Sequence, residues 1–135
     1  IGLVKTRPSF SVARKFSGHS DVITGIHFGM NMKNLISASA DKTVGVWDCN
    51  TGQMVKQIPC MSAVTSMDIN QGDTAIATGH KTGDVRIFSM SSFEKTHHLP
   101  NHHSSPITSI NFTADMGKIV STSTDGMIKV MDSRA

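Results

Sequence analysis

Apolar residues in this chain fall into short alternating runs, separated by clusters of Asn, Asp, Gly and Lys. VITGIHF at 22–28 carries apolar residues at its second, fifth and seventh places and Thr at its third. AVTSMDI at 63–69 and PITSINF at 106–112 repeat that arrangement. Runs of this length, rich in β-branched residues, predict strands at Val22–Phe28, Leu35–Ala38, Thr43–Trp47 and Gln53–Ile58. MNMKN, ADK and DCNTG between them read as turns, with Thr51-Gly52 supplying the positive φ of a tight one. No stretch has the period of a helix of useful length.

The three matching runs lie 41 and then 43 residues apart. The same offsets carry LISASADKTVGVWD at 35–48 onto IATGHKTGDVRIFS at 76–89 and IVSTSTDGMIKVMD at 119–132. His19 falls on Cys60 and His103, Ser37 on Thr78 and Ser121, Asp41 on Thr82 and Asp125, and Trp47 on Phe88 and Met131. Four strands per unit of about 40–45 residues is the mark of a propeller blade.

With Gly18-His19 opening a unit and Trp47-Asp48 closing its third strand, the chain resembles the WD-repeat family over essentially its whole length. The second unit departs from the pattern at Pro59-Cys60 and Phe88-Ser89; the third, with His102-His103 and Met131-Asp132, is intermediate. The expected fold is all-β: a WD-repeat β-propeller segment of about three four-stranded blades from a larger, seven-bladed ring. Residues 1–16 read as the end of a preceding blade, with strands ending at Val4 and spanning Ser11–Phe16. Residues 17–58 form a WD repeat, 59–100 a degenerate one, and 101–135 one lacking its fourth strand. The rest of the ring is expected from more of the chain or from another chain.

His19, Ser37 and Asp41 are the residue types of a catalytic triad. The resemblance implies a different use, a network in which the Trp47 indole, the Ser37 hydroxyl, the His19 ring and the Asp41 carboxylate bond in series. Such a strut satisfies polar groups that would otherwise be costly inside a sheet. His103, Ser121 and Asp125 are its weaker counterparts. Cys60, Thr82 and Phe88 cannot rebuild it, so the second blade is expected to rest on packing and to be locally weaker. No catalytic residue is assigned.

Composition narrows the function further. A net charge of +3 is spread over scattered Lys and Arg, Tyr is absent and Trp occurs once, which argues against a nucleic-acid surface. Cys49 and Cys60 sit in separate turns, without a disulfide framework. The apolar runs are too short for membrane insertion, and IGLVKTRPSF lacks a secretory-leader pattern, so a cytoplasmic or nuclear setting is expected. His97, His98, His102 and His103 lack a metal-site spacing, and GHKTGD at 79–84 is a strand-joining turn with no phosphate-loop register. No metal or cofactor is implied. Met67 and Met131 fall on core positions, whereas Met30, Met32, Met54, Met61 and Met90 lie in or near turns.

These features point to a non-enzymatic scaffold or adaptor whose partners are proteins or peptides held at the propeller rim. Candidate rim contacts are Ser20, Lys42, Met61, Lys81, Ser104 and Thr124. SGHSDVITGIHF, GHKTGDVRIF and KVMDSRA are also similar, in order, to successive blades of the C-terminal propeller of autophagy sixteen-like proteins, which implies a role in membrane-conjugation machinery. A structural subunit of a ciliary or ribosome-biogenesis assembly and an RNA-contacting propeller are the alternatives.

Overall fold

The structure, a computed structural model, describes residues 9–29, 32–115 and 117–132. Eleven strands form three antiparallel sheets. The first holds β1 (Ile23–Phe28), β2 (Asn34–Ser39), β3 (Thr43–Asp48) and β4 (Met54–Pro59) in chain order. The second holds β5 (Val64–Ile69), β6 (Ala75–His80), β7 (Val85–Ser89) and β8 (Lys95–Leu99), also in chain order. Among the described residues the third has β9 (Ile107–Phe112), β10 (Lys118–Ser123) and β11 (Ile128–Asp132). The described residues contain no helix long and apolar enough to cross a membrane.

Residues 11–16 were expected to be a strand and are not. An extended segment becomes a strand only by pairing, and no described strand lies beside this one; Phe16 instead packs edge-on against Trp47, ring centroids 5.8 Å apart. The strand expected to end at Val4 lies outside the described residues, as do Met30 and residues 133–135.

The sheets stack face to face, which explains why β2, β3 and β6 are buried along nearly their whole length rather than at alternate positions. Ile36, Val44, Val46 and Ile58 of the first sheet close onto Cys60, in the loop before the second sheet, and onto Val64, Met67, Ile76 and Phe88 of that sheet. Ala77 and Val85 meet Ile107, Ile110 and Ile119 of the third. Both cores are built mainly from the Ile and Val positions of the repeat pattern.

The Thr shared by all three motifs has a physical role at these seams. Thr24 Oγ1 on β1 donates to Val64 O of the next sheet at 2.8 Å, and Thr65 Oγ1 on β5 donates to Ile107 O at 2.5 Å. Asp68 adds a further tie, accepting from the Phe112 N–H at 2.7 Å and facing His27 Nε2 at 3.3 Å. Side chains thereby satisfy backbone groups across sheets that share no ladder. Ser66 Oγ is buried without a hydrogen-bond partner among the described residues.

The turn between the second and third strands of each sheet requires the left-handed region: φ is 74° at Lys42, 87° at Gly83 and 81° at Gly126. A Cβ at Gly83 would lie 2.1 Å from the His103 carbonyl oxygen, whereas one at Gly126 meets nothing within 4 Å. Gly126→Ala should therefore cost only the left-handed penalty of ~1–2 kcal/mol, and Gly83→Ala ~3 kcal/mol or more, because backbone must move as well. Urea unfolding of the two variants checks this; equal losses would contradict it. Ser66→Ala should raise stability by ~1 kcal/mol in the same measurement, since it removes a hydroxyl that is desolvated and unpaired.

Candidate functional site

The loop before β1 brings His19 over the first sheet, where Ser37 on β2 stands opposite Gly45 on β3. Asp41 is held in the β2–β3 turn by Thr43, whose N–H and Oγ1 donate to Oδ1 at 3.0 and 2.5 Å. Its Oδ2 faces His19 Nδ1 at 2.8 Å and accepts from the Ser20 N–H at 3.1 Å. A carboxylate can only accept, so Nδ1 carries a proton, and in the neutral imidazole Nε2 is then the acceptor. Ser37 Oγ then donates to Nε2 at 2.6 Å and accepts the Trp47 indole N–H at 2.7 Å. All four side chains thus form one directed chain.

The order serine, imidazole, carboxylate is that of a hydrolase triad, but access is missing. Ser37 is 2% exposed, the indole occupies one of its two lone pairs, and burial keeps the other away from any substrate. A nucleophile needs a free lone pair facing substrate. The arrangement can brace the loop to the turn, and it cannot attack.

Gly45 is a member of this site that motif reading passed over. A Cβ there would lie 2.9 Å from Trp47 Nε1, 3.1 Å from Ser37 Oγ and 3.2 Å from His19 Nε2, so a side chain would occupy the network's own space. An isolated glycine inside a strand is the signal that could have found it.

The third sheet builds a close copy. His103 Nδ1 faces Asp125 Oδ2 at 3.0 Å, and its Nε2 faces Ser121 Oγ at 2.9 Å. The Met131 side chain has no N–H to give the hydroxyl; His102 Nε2 takes that place, 3.2 Å from Ser121 Oγ, with its ring edge-on to His103 at 4.9 Å.

The second sheet corrects the expectation of a blade without a strut. Cys60 and Phe88 are indeed in the apolar core, and burial pushes the Cys60 thiol up to about 12. The polar network has moved rather than vanished. His80 on β6, fully buried, has Nε2 2.8 Å from Thr78 Oγ1 and Nδ1 3.0 Å from Ser62 Oγ. Beside it Asp84 accepts from Thr82 Oγ1, from Arg86 Nε at 3.0 Å, and faces His98 Nε2 at 3.0 Å. The imidazole comes from the strand two residues past Thr78, not from the aligned position 60, so repeat alignment could not locate it.

Of the rim candidates, Lys42, Met61 and Lys81 come together, lining a cleft of about 550 Å³ between the first two sheets with Asp21 and Thr82. Ser104 lies in a neighbouring cleft of about 520 Å³ with His102, Asp125, Met127 and Lys129. Ser20 and Thr124 are exposed and line neither. Among the described residues no group of three or more His, Cys, Asp or Glu side chains is arranged to hold a metal ion.

Burial alone would raise the Asp41 carboxyl, but the Thr43, His19 and Ser20 donors outweigh it and hold it at about 2. Asp84 is set the same way at about 2, by Thr82, Arg86 and the two histidines. Burial lowers His80 below its ordinary 6.5, and burial together with the charges of His103 and Lys129 lowers His102. The lowered histidines mean that the unfolded chain binds protons first as pH falls through about 6.5, so stability drops there. The lowered carboxyls stabilise the fold above about 3.8, and that contribution is lost as pH falls toward about 2. Urea midpoints should accordingly decline in two stages, from pH ~7 to ~5 and from ~4 to ~2; a flat profile across the first window would refute the buried neutral His80. Ser37→Ala should cost ~2–4 kcal/mol by stranding the indole N–H and the His19 nitrogen together, measured by the same unfolding. A loss under ~1 kcal/mol would show that the strut is idle.

Known proteins share this architecture. The family model described as the TEP-1 C-terminal beta-propeller matches residues 19–90, and the WD domain, G-beta repeat model matches 93–132. The WD repeat-containing protein 89 homolog of Dictyostelium discoideum is 32% identical over 93% of this chain and 34% of its own length. The U5 small nuclear ribonucleoprotein 40 kDa protein of the same organism is 30% identical over 87% of this chain and 33% of its own. The chain thus spans about a third of the length of these relatives. The crystal structure of the RRP9 WD40 repeats superposes with a TM-score of 0.83 at 22% identity, covering 90% of this chain and 38% of that one. By the repeat, the sheets and these matches together, the chain belongs to the WD-repeat β-propeller family.

Proposed function

We propose that the chain is a non-enzymatic interaction scaffold that reads a protein or peptide partner at its rim. The observation that carries this reading is the fate of the triad-like groups. Ser37 and Ser121 each face an imidazole backed by a carboxylate, yet both hydroxyls are buried and committed within the sheet. That leaves the exposed chemistry to the loops the struts hold in place, which carry Ser20, Lys42, Met61, Lys81, Ser104 and Thr124. Ile26 and Phe28 at one end and Ile128 and Val130 at the other are more than half exposed. We take these faces as seams to the other blades of a seven-bladed ring, drawn from more of the chain or from another chain.

Two finer readings differ in what the partner is. An adaptor in membrane-conjugation machinery draws on the motif succession and on 21% identity with Autophagy-related protein 16 of Arabidopsis thaliana. A subunit of a ribonucleoprotein assembly draws on the greater identity with the U5 small nuclear ribonucleoprotein 40 kDa protein. Cytoplasmic and nuclear locations follow these readings respectively.

Affinity purification of the tagged chain tests the scaffold reading. Reversing charge and bulk at the rim with Lys81→Glu and Ser104→Arg should remove a co-purifying protein at least ~fivefold while leaving the unfolding midpoint within ~0.5 kcal/mol of the parent. Undiminished recovery would place the partner elsewhere. Loss of recovery on ribonuclease treatment with the rim intact would favour the ribonucleoprotein reading instead.

A further inference from the structure

Lys42 stands where the fold demands a left-handed residue, and the second and third sheets fill that position with Gly83 and Gly126. Glycine takes such a conformation without the clash a Cβ brings. The first sheet nevertheless places a long cationic side chain there. The same cleft holds a second departure of this kind. Met61 has φ 67° and is 77% exposed, whereas the aligned Ser20 and Ser104 are not in the left-handed region. Residues other than glycine take this conformation at Met32, Asp73, Phe93 and Asn101 as well. What marks this cleft is that Lys42 replaces the glycine of the other two sheets beside an exposed Met61, which points to a use for the side chains themselves.

Their surroundings define what they suit. Lys81 joins Lys42 on the lining, and no described carboxylate pairs with either ammonium. Asp21 is the opposing charge in the wall, and its Oδ1 is already taken by the Val22 N–H at 2.7 Å. The cleft therefore offers two cations around an exposed, deformable thioether. A nucleic acid fits poorly, since the lining has no aromatic ring to stack a base and its centre is an exposed thioether that a phosphate run would not use.

We propose that the cleft of Lys42, Met61 and Lys81 docks an acidic peptide segment of a partner protein, its carboxylates on the two ammoniums and an apolar side chain on Met61. This rests on the scaffold reading and deepens it by naming the partner's chemistry.

Fluorescence anisotropy with the full chain tests it, using fluorescein-labelled peptides EELDELE, QQLNQLQ and EEGDEGE, and a labelled oligouridine. EELDELE should bind at least ~tenfold tighter than QQLNQLQ, and should weaken severalfold as NaCl rises from about 50 to about 300 mM. Lys42→Gly installs the residue used by the other two sheets, so it should keep or raise the melting temperature while weakening EELDELE ~fivefold or more. Lys81→Ala should weaken it similarly, and Met61→Ala should weaken EELDELE but not EEGDEGE. Equal binding of the acidic and neutral peptides, indifference to Lys42→Gly, or preference for oligouridine would each overturn the proposal. If no peptide binds while co-purification still depends on the rim, this inference falls and the scaffold reading stands. If co-purification is also indifferent to the rim, both fall.

Discussion

The hydrogen bond from Ser37 Oγ to His19 Nε2 is the joint on which the first sheet's rim depends. A hydroxyl and an indole N–H inside a stacked sheet have no water to fall back on, so each must find a partner or destabilise the fold. Their solution pulls a loop from outside the sheet down onto it. Once His19 is committed, Asp41 must orient it, Thr43 must hold Asp41, and Gly45 must remain without a side chain. A local need for satisfaction thus decides the course of two exposed loops. Residues 20–21 and 41–42 stand where they do because residues 19 and 41 are fastened beneath them.

Comparison of the three sheets separates the constraint from the residues that meet it. In the first, the indole of Trp47 donates to the hydroxyl; in the third, the Met131 side chain cannot, and the neighbouring imidazole of His102 pairs with it instead. In the second, the loop position carries Cys60, and the imidazole enters from within the sheet as His80. Loss of the family residues left Thr78 paired all the same, with His80 in place of a loop histidine, while Ser66 Oγ alone stays buried without a partner among the described residues. The second sheet therefore has a different strut, with Asp84 gathering Thr82, Arg86 and His98 on its outer side.

The same struts show how triad-like geometry can serve as a brace. Hydrogen-bond order alone does not distinguish a brace from a nucleophile; exposure of the serine oxygen does. What the braces leave for solvent is the rim. There the first cleft places a lysine at the left-handed position that the other two sheets give to glycine, beside an exposed methionine.

How far the sequence reaches is clearest in particular residues. The alternation at 22–28, 63–69 and 106–112 determined three inner strands, and the shared offsets determined their sheet order, because a period of two with β-branched residues has few other stable uses. His19, Ser37, Asp41 and Trp47 were legible through the family pattern, since their spacing follows the strand register. His80, Gly45 and the gathering of Lys42, Met61 and Lys81 were not. Each depends on which side chain the stacked sheets bring within reach, and residues from neighbouring sheets are adjacent in space while distant in the chain. Residues 11–16 show the same limit from the other side. Their pattern suits a strand, but a strand exists only where another lies beside it to share hydrogen bonds, and tertiary structure alone supplies that neighbour.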